Sequence, residues 1–196
     1  MADGAAHPGP RQGATIQRHH LADFLERHAR DITGRCLEFE ADVYTTRFGD
    51  PTSVDIIDLN SSNATATIVA DLTKPNDVEG GQFDCITCTH VLHLVDDPVA
   101  VVRELWRLLA PSGVLLVATP FVGEIKQGVN ELWRFTPDGL AMVLGIAFDE
   151  VAVEAHGNSL TAAAQLRGLS AHEMHDRLGA DDARFAIEVC ARARRP

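Results

Sequence analysis

Residues 83–120 read FDCITCTHVLHLVDDPVAVVRELWRLLAPSGVLLVATP. The stretch opens on an apolar run, Phe83 to Thr89, of strand length. Between Pro98 and Ala110, the residues Val101, Val102, Leu105, Trp106, Leu108 and Leu109 recur at helical spacing. Pro111, Ser112 and Gly113 stop that helix. Val114 to Ala118 follows as an unbroken apolar run, the pattern of a central strand buried on both faces. Two strands joined by a helix pair in parallel through a right-handed crossover. This stretch therefore predicts one unit of an α/β sheet.

Working outward, the same alternation continues on both sides. Residues 1–15 are rich in Gly, Ala and Pro and are expected to be disordered. Ile16 to Ile32 carries Leu21, Phe24, Leu25 and Ile32 at helical spacing, and Asp31, Thr33 and Gly34 end that helix. Candidate strands follow at Arg35–Phe39, Ser53–Leu59 and Ala66–Ala70. Beyond the opening unit, Thr136 to Leu144 reads as a helix, with Thr136 as N-cap and Pro137 at its first position. Phe148–Ala155 and Arg184–Ala191 read as alternating strands suited to one sheet edge, with a mostly helical stretch from Leu160 to Leu178 between them. No internal repeat or long linker divides residues 16–196, so they are expected to form one domain. Ligands in such sheets bind at the carboxyl ends of the strands, where strand order reverses.

Composition narrows the class. The chain has 196 residues, enough for a substantial core in one domain. It is 45% hydrophobic and 23% charged, as soluble globular proteins are. No apolar run reaches the roughly 18–20 residues needed to cross a bilayer, and the N-terminus lacks a secretory signal, so a cytoplasmic protein is expected. The formal net charge of -11 argues against a nucleic-acid partner. Arg192, Arg194 and Arg195 are too few to reverse that and read as a solvated tail. Cys85 and Cys88 form a CxxC, but on a strand residues three apart point to opposite faces. With no second CxxC to complete a zinc site, they read as core thiols. His172 and His175 read as surface residues of a late polar helix, and no metal site is expected.

The ordered set within 83–120 resembles the class I S-adenosylmethionine-dependent methyltransferases, specifically the small type 11 group. That order is Phe-Asp, apolar strand, Leu-His, Asp-Pro, amphipathic helix ending Arg-Leu-Leu, Pro-x-Gly and apolar strand. Trp133-Arg134-Phe135-Thr136 resembles a recurrent element of the same group. The likeness spans Gly34 to about Asn158. It implies a Rossmann-like, doubly wound, mostly parallel seven-stranded sheet with helices on both faces. It implies S-adenosylmethionine as cofactor and S-adenosylhomocysteine as product. By the same resemblance, Glu38 and Phe39 end the first strand against the cofactor. Asp58 and Leu59 would meet the ribose, with Asp55 as the off-register alternative. Asp71 and Leu72 would meet the adenine, and Thr89 the methyl-donor end. The family's glycine-rich turn is replaced by Glu40, Ala41, Asp42, Val43 and Tyr44. Glycine lets backbone approach a ligand closely, so side chains here should narrow the pocket, Glu40 among the cofactor contacts.

His90 and His93 are the candidate catalytic residues, because imidazole is a general base near neutral pH. His93 is equally suited to lining or packing. Tyr44, Trp133 and Arg134 are candidate substrate-binding residues. Trp133 also suits the core, and Arg134 suits either an anionic substrate group or a salt bridge. Two functions follow. One is methyl transfer to oxygen or nitrogen of a small-molecule metabolite. The other is a methyltransferase-like protein that has lost methyl transfer and serves as a binding or partner protein, or catalyses another reaction in the same cleft. A homodimer or a partner enzyme is compatible with either.

Overall fold

The computed structural model describes residues 14–196. Its elements are α1 (Ile16–Arg27), β1 (Thr33–Phe39), α2 (Thr45–Phe48), β2 (Asp50–Asp58), β3 (Ile68–Val69), β4 (Phe83–Thr89) and α3 (Pro98–Leu108). They continue as β5 (Leu109–Pro120), α4 (Pro137–Leu144), β6 (Glu150–His156), α5 (Ser159–Leu166), α6 (Ala171–Met174) and β7 (Glu188–Arg194). The strands form one seven-stranded sheet in the order β3-β2-β1-β4-β5-β7-β6. The first five are parallel, and β7 inserts antiparallel between β5 and β6. Strand order reverses between β1 and β4, so the crevice at a switch point opens beside their carboxyl ends.

Alternate residues of the central strands feed two cores. On one face Leu37, Ile86, Leu115 and Val117 pack under Val102 and Leu105 of α3 and Leu140 of α4. On the other, Cys36, Cys85, Leu116 and Cys190 pack under Leu21, Phe24 and Leu25 of α1. The CxxC is split between them, Cys85 on the α1 face and Cys88 on the α3 face. Burial alone pushes the Cys88 thiol up to about 12, so it stays protonated and unreactive.

Several boundaries differ from the sequence expectation. The expected disordered tail lies mostly outside the described residues, but Thr15 is ordered: it caps α1 and bridges Ser170. The first helix ends at Arg27, and a 3-10 turn at Ala29–Asp31 replaces its last turn. The late helical stretch breaks at Gly168, whose φ of 72° lies in the left-handed region that favours glycine. The last strand starts later than expected, at Glu188, because Asp182 caps a 3-10 turn over Ala183–Phe185. The basic end is not a solvated tail. Arg192 lies within β7 and grips Asp31 with two bonds of 2.8 and 2.9 Å. The Arg195 guanidinium sits 4.1 Å over the Trp106 ring.

Candidate active site

A cleft of about 470 Å³ opens at the carboxyl ends of β1, β4 and β5, with the start of α1 as one wall. Its floor is the loop that follows β1. Glu38 is buried at 2% exposure, and its carboxylate accepts the amides of Val43, Tyr44 and Thr45 at 3.0, 2.9 and 2.8 Å. Its oxygens are therefore committed to the loop. Glu38 borders the cleft as the anchor of its floor, rather than as a carboxylate free to take a cofactor group.

Glu40 has a φ of 64°, in the left-handed region. The loop thus keeps a backbone turn natural to glycine although a side chain occupies it. Two contacts hold the strained residue: its N–H donates to Ile57 O at 2.9 Å, and its carbonyl accepts from Asn63 Nδ2 at 2.7 Å. The same Asn63 amide donates to Asp58 at 2.6 Å. Asp42 accepts the Thr46 amide at 3.1 Å, turning its charge onto α2. The glycines are lost, but the turn is rebuilt from side-chain hydrogen bonds.

Beside the loop lies a smaller hollow of about 140 Å³. Phe39, Glu40, Asp58, Leu59, Asp71 and Leu72 all line it. Six of the expected cofactor residues therefore converge on one recess. Asp58 ends β2, and the Asn60 amide together with Asn63 lowers its pKa. Asp71 is held at about 2 by Lys74 and by Thr73, so it stays ionised. Leu59 is 69% exposed, offering an apolar edge at the mouth. Asp55 points away from this recess, to Arg35 and Thr67.

Thr89, His90 and His93 line the main cleft with Tyr44 and Arg134. His90 also has a positive φ, 57°, with its N–H tied to Ala118 O at 2.8 Å. Its Nε2 lies 2.7 Å from Glu188 Oε1. Glu188 is fully buried, and its other oxygen accepts from Gln17 Nε2 at 2.6 Å. Neither Gln17 nor Glu188 was marked as functional by the sequence. Glu188 stands at the head of β7, and its register with Pro120 of β5 brings it to the cleft. A glutamate in an alternating strand reads locally as a polar-face residue, so no nearby signal marks it.

His93 is 5% exposed, and its Nδ1 has no hydrogen-bond partner among the described residues. Burial, with the neighbouring His90, lowers its pKa to about 4, so the ring is neutral at physiological pH. The ring of His90 meets it edge-on at 6.3 Å. Arg134 forms an ion pair with Glu131, and the pair borders the cleft. Trp133 is not part of the lining. Its indole N–H is fixed to Val95 O at 2.8 Å, and its ring lies alongside Phe135, 41% exposed. The core placement of Trp133 is corrected by its exposure: it clamps the outside of the 131–135 segment.

No described helix is long and apolar enough to cross a membrane.

Comparison with known proteins agrees with this architecture. A family profile described as a methyltransferase domain matches residues 20–117, half of the chain. The ubiquinone biosynthesis O-methyltransferase of Psychrobacter cryohalolentis is 49% identical over 39 residues, which cover 20% of this chain and 15% of that protein. The matched stretch is thus a small part of the relative's length. The N-methyltransferase NodS from Bradyrhizobium japonicum, solved with S-adenosyl-L-homocysteine, superposes with a TM-score of 0.57 at 15% identity, over 91% of this chain and 86% of that one. The cyclase SpnF superposes with a TM-score of 0.59 at 16% identity, over 98% of this chain and 88% of that one. Sheet order, crevice and profile concur: the chain belongs to the class I methyltransferases, in the type 11 methyltransferase-domain family.

Proposed function

We propose that the protein is an enzyme that transfers the methyl group of S-adenosylmethionine to an oxygen or nitrogen of a small-molecule metabolite in the cytoplasm. The observation that carries the reading is the His90–Glu188 dyad facing a cleft that adjoins the Asp58–Asp71 recess. The residues present fit the cofactor. The Glu40 turn keeps a ligand-cradling backbone, and the recess offers carboxylates and an apolar edge to a nucleoside. The cleft lining mixes carboxylates (Glu40, Glu124 and Glu131) with cations (Arg18, Lys126 and Arg134).

When bound, the cofactor supplies an electrophilic methyl: a bond forms from the acceptor's heteroatom to carbon while the carbon–sulfur bond breaks, its electron pair staying on sulfur. Asp58 and Asp71 would hold the nucleoside hydroxyls and amine, with Leu72 against the ring. His90 would take the acceptor's proton on Nδ1, because its Nε2–H is directed at Glu188. Glu188 fixes that tautomer and stabilises the imidazolium once formed, as a carboxylate does in other His-based relays. His93, kept neutral, narrows the cleft behind the acceptor, and Tyr44 and Arg134 border its mouth.

Calorimetric titration with S-adenosylmethionine and S-adenosylhomocysteine tests the reading, followed by an acceptor screen. Micromolar binding is expected. His90→Ala should then cost about 10²–10⁴ in kcat with little change in cofactor affinity. No binding at millimolar cofactor would overturn it.

That outcome would favour the second reading, a protein of this fold that no longer methylates. The side chains that stand where the resembled family carries glycine motivate it, since glycine lets a backbone approach a ligand closely. SpnF is an example of a protein of this fold named for a different reaction. A homodimer or a partner enzyme would then be the next object of search.

A further inference from the structure

On the far side of the α1 wall, three side chains converge outside the cleft. His20 of α1, His156 at the end of β6 and Asp181 before β7 each bring a ligand-type atom within 4.8 Å of the other two. The two imidazoles lie nearly parallel, with centroids 5.7 Å apart. They are 7% and 6% exposed; His20 Nε2 is buried without a hydrogen-bond partner among the described residues, and His156 Nδ1 lies 2.9 Å from Asp181 Oδ2. A buried, unpaired ring nitrogen is costly unless something binds its lone pair or takes its proton. The His20 nitrogen, in a ring stacked on the one that pairs with Asp181, needs an explanation.

We propose that His20, His156 and Asp181 form a binding site for a divalent transition metal of the zinc class. Two imidazoles and a carboxylate are a donor set typical of that class. A tetrahedral ion with bonds of about 2.0–2.1 Å separates its ligand atoms by roughly 3.3 Å. The ligand atoms lie within 4.8 Å of one another, so closing each separation takes at most about 1.5 Å of side-chain adjustment. The fourth position is left to water, because Glu154 is held by Arg27 and His28. The outer shell already exists: Asp181 Oδ1 accepts the Gly157 amide at 2.7 Å, which orients the carboxylate. Asp181 is exposed and gives the ion an entry path.

The metal would act as a clasp, joining α1, the end of β6 and the segment before β7. Gln17, one turn before His20, is the residue that holds Glu188. The clasp would thus steady the wall that carries the dyad's partner. It does not depend on what the cleft catalyses.

The test is titration of the full-length chain with zinc chloride by calorimetry, with cobalt(II) absorption as a second readout. His172 and His175 form an exposed pair with ring centroids 4.7 Å apart and could bind zinc at the surface. The variants are therefore His20→Gln, Asp181→Asn and the double change His172→Gln with His175→Gln, each checked for folding by circular dichroism. Expected are one zinc per chain and a tetrahedral cobalt band. Both should weaken roughly 10-fold or more in His20→Gln and Asp181→Asn and persist in the double variant. Asp181→Asn keeps an acceptor for the Gly157 amide, so it carries the test if His20→Gln does not fold. The proposal is overturned by affinity unchanged in Asp181→Asn, by binding lost in the surface double variant, or by no binding.

Discussion

At the residue scale, the site depends on two non-glycine residues held in the left-handed region, Glu40 and His90. Such a conformation costs a residue with a Cβ about 1–2 kcal/mol relative to glycine, and it tends to survive at functional positions. Replacing Glu40 by Gly should therefore leave the protein more stable than replacing it by Ala, by about 1 kcal/mol. Urea unfolding of the two variants gives the comparison; equal midpoints would mean that the Asn63 and Ile57 contacts, not the backbone preference, set the energy. His93 makes a different prediction. Its folded pKa, about 4, lies below the ordinary 6.5. The unfolded chain thus binds the proton more readily, and stability rises with pH between those values and levels off above them. Acidifying from pH 6.5 to 4 should remove roughly 2 kcal/mol through this group, discounted from the full shift because the cleft beside it is open to water. His93→Asn should flatten that part of the pH–stability profile; an unchanged slope would assign it to other groups. Much of this scale was hidden in the sequence. Asp58, Asp71 and Leu72 could be picked out as candidates because each lies at or just beyond the carboxyl end of a strand. Glu188 could not, since its role arises from a register between residues far apart in the chain.

At the scale of elements, the units with strong periodicity were legible and those ending in turns were not. Helix α3 announces itself by its apolar stripe, its Asp97 cap and its proline start. The splitting of Cys85 and Cys88 between two cores follows from strand alternation alone. The late region defeats local reading, because Asn158, Ser170 and Asp182 each cap a new short turn in a stretch that is otherwise helix-like. The basic end misled for a related reason: three arginines near a terminus suggest solvent, whereas β7 carries one of them to Asp31 across the sheet. This contact joins the turn after α1 to β7, and both side chains are largely shielded. A double-mutant cycle of Arg192→Ala and Asp31→Ala should give a coupling of about 1 kcal/mol, above the lower end for exposed pairs. A coupling near zero would show that the two elements dock through apolar contacts alone.

At the scale of the whole molecule, the sheet order follows from right-handed crossovers until β5, after which the chain reverses and fills a gap it had left open. Nothing in the local pattern of β7 signals that insertion, because an edge strand and an inserted antiparallel strand can show the same alternation. Its consequence belongs to synthesis. Among the described residues β6 pairs with β7 and with no other strand, so a ribosome delivers β6 well before the strand it pairs with. Until then β6 has an open flank, and Glu188, the partner of His90, is not yet part of the chain. An emerging polypeptide can fold the Asp58–Asp71 recess early, from β1 to β4, while the His90–Glu188 pair waits for β7. Under the proposed function, competence for chemistry is timed to the end of translation of this sheet, and an abortive product that stops short of β7 would lack the pair.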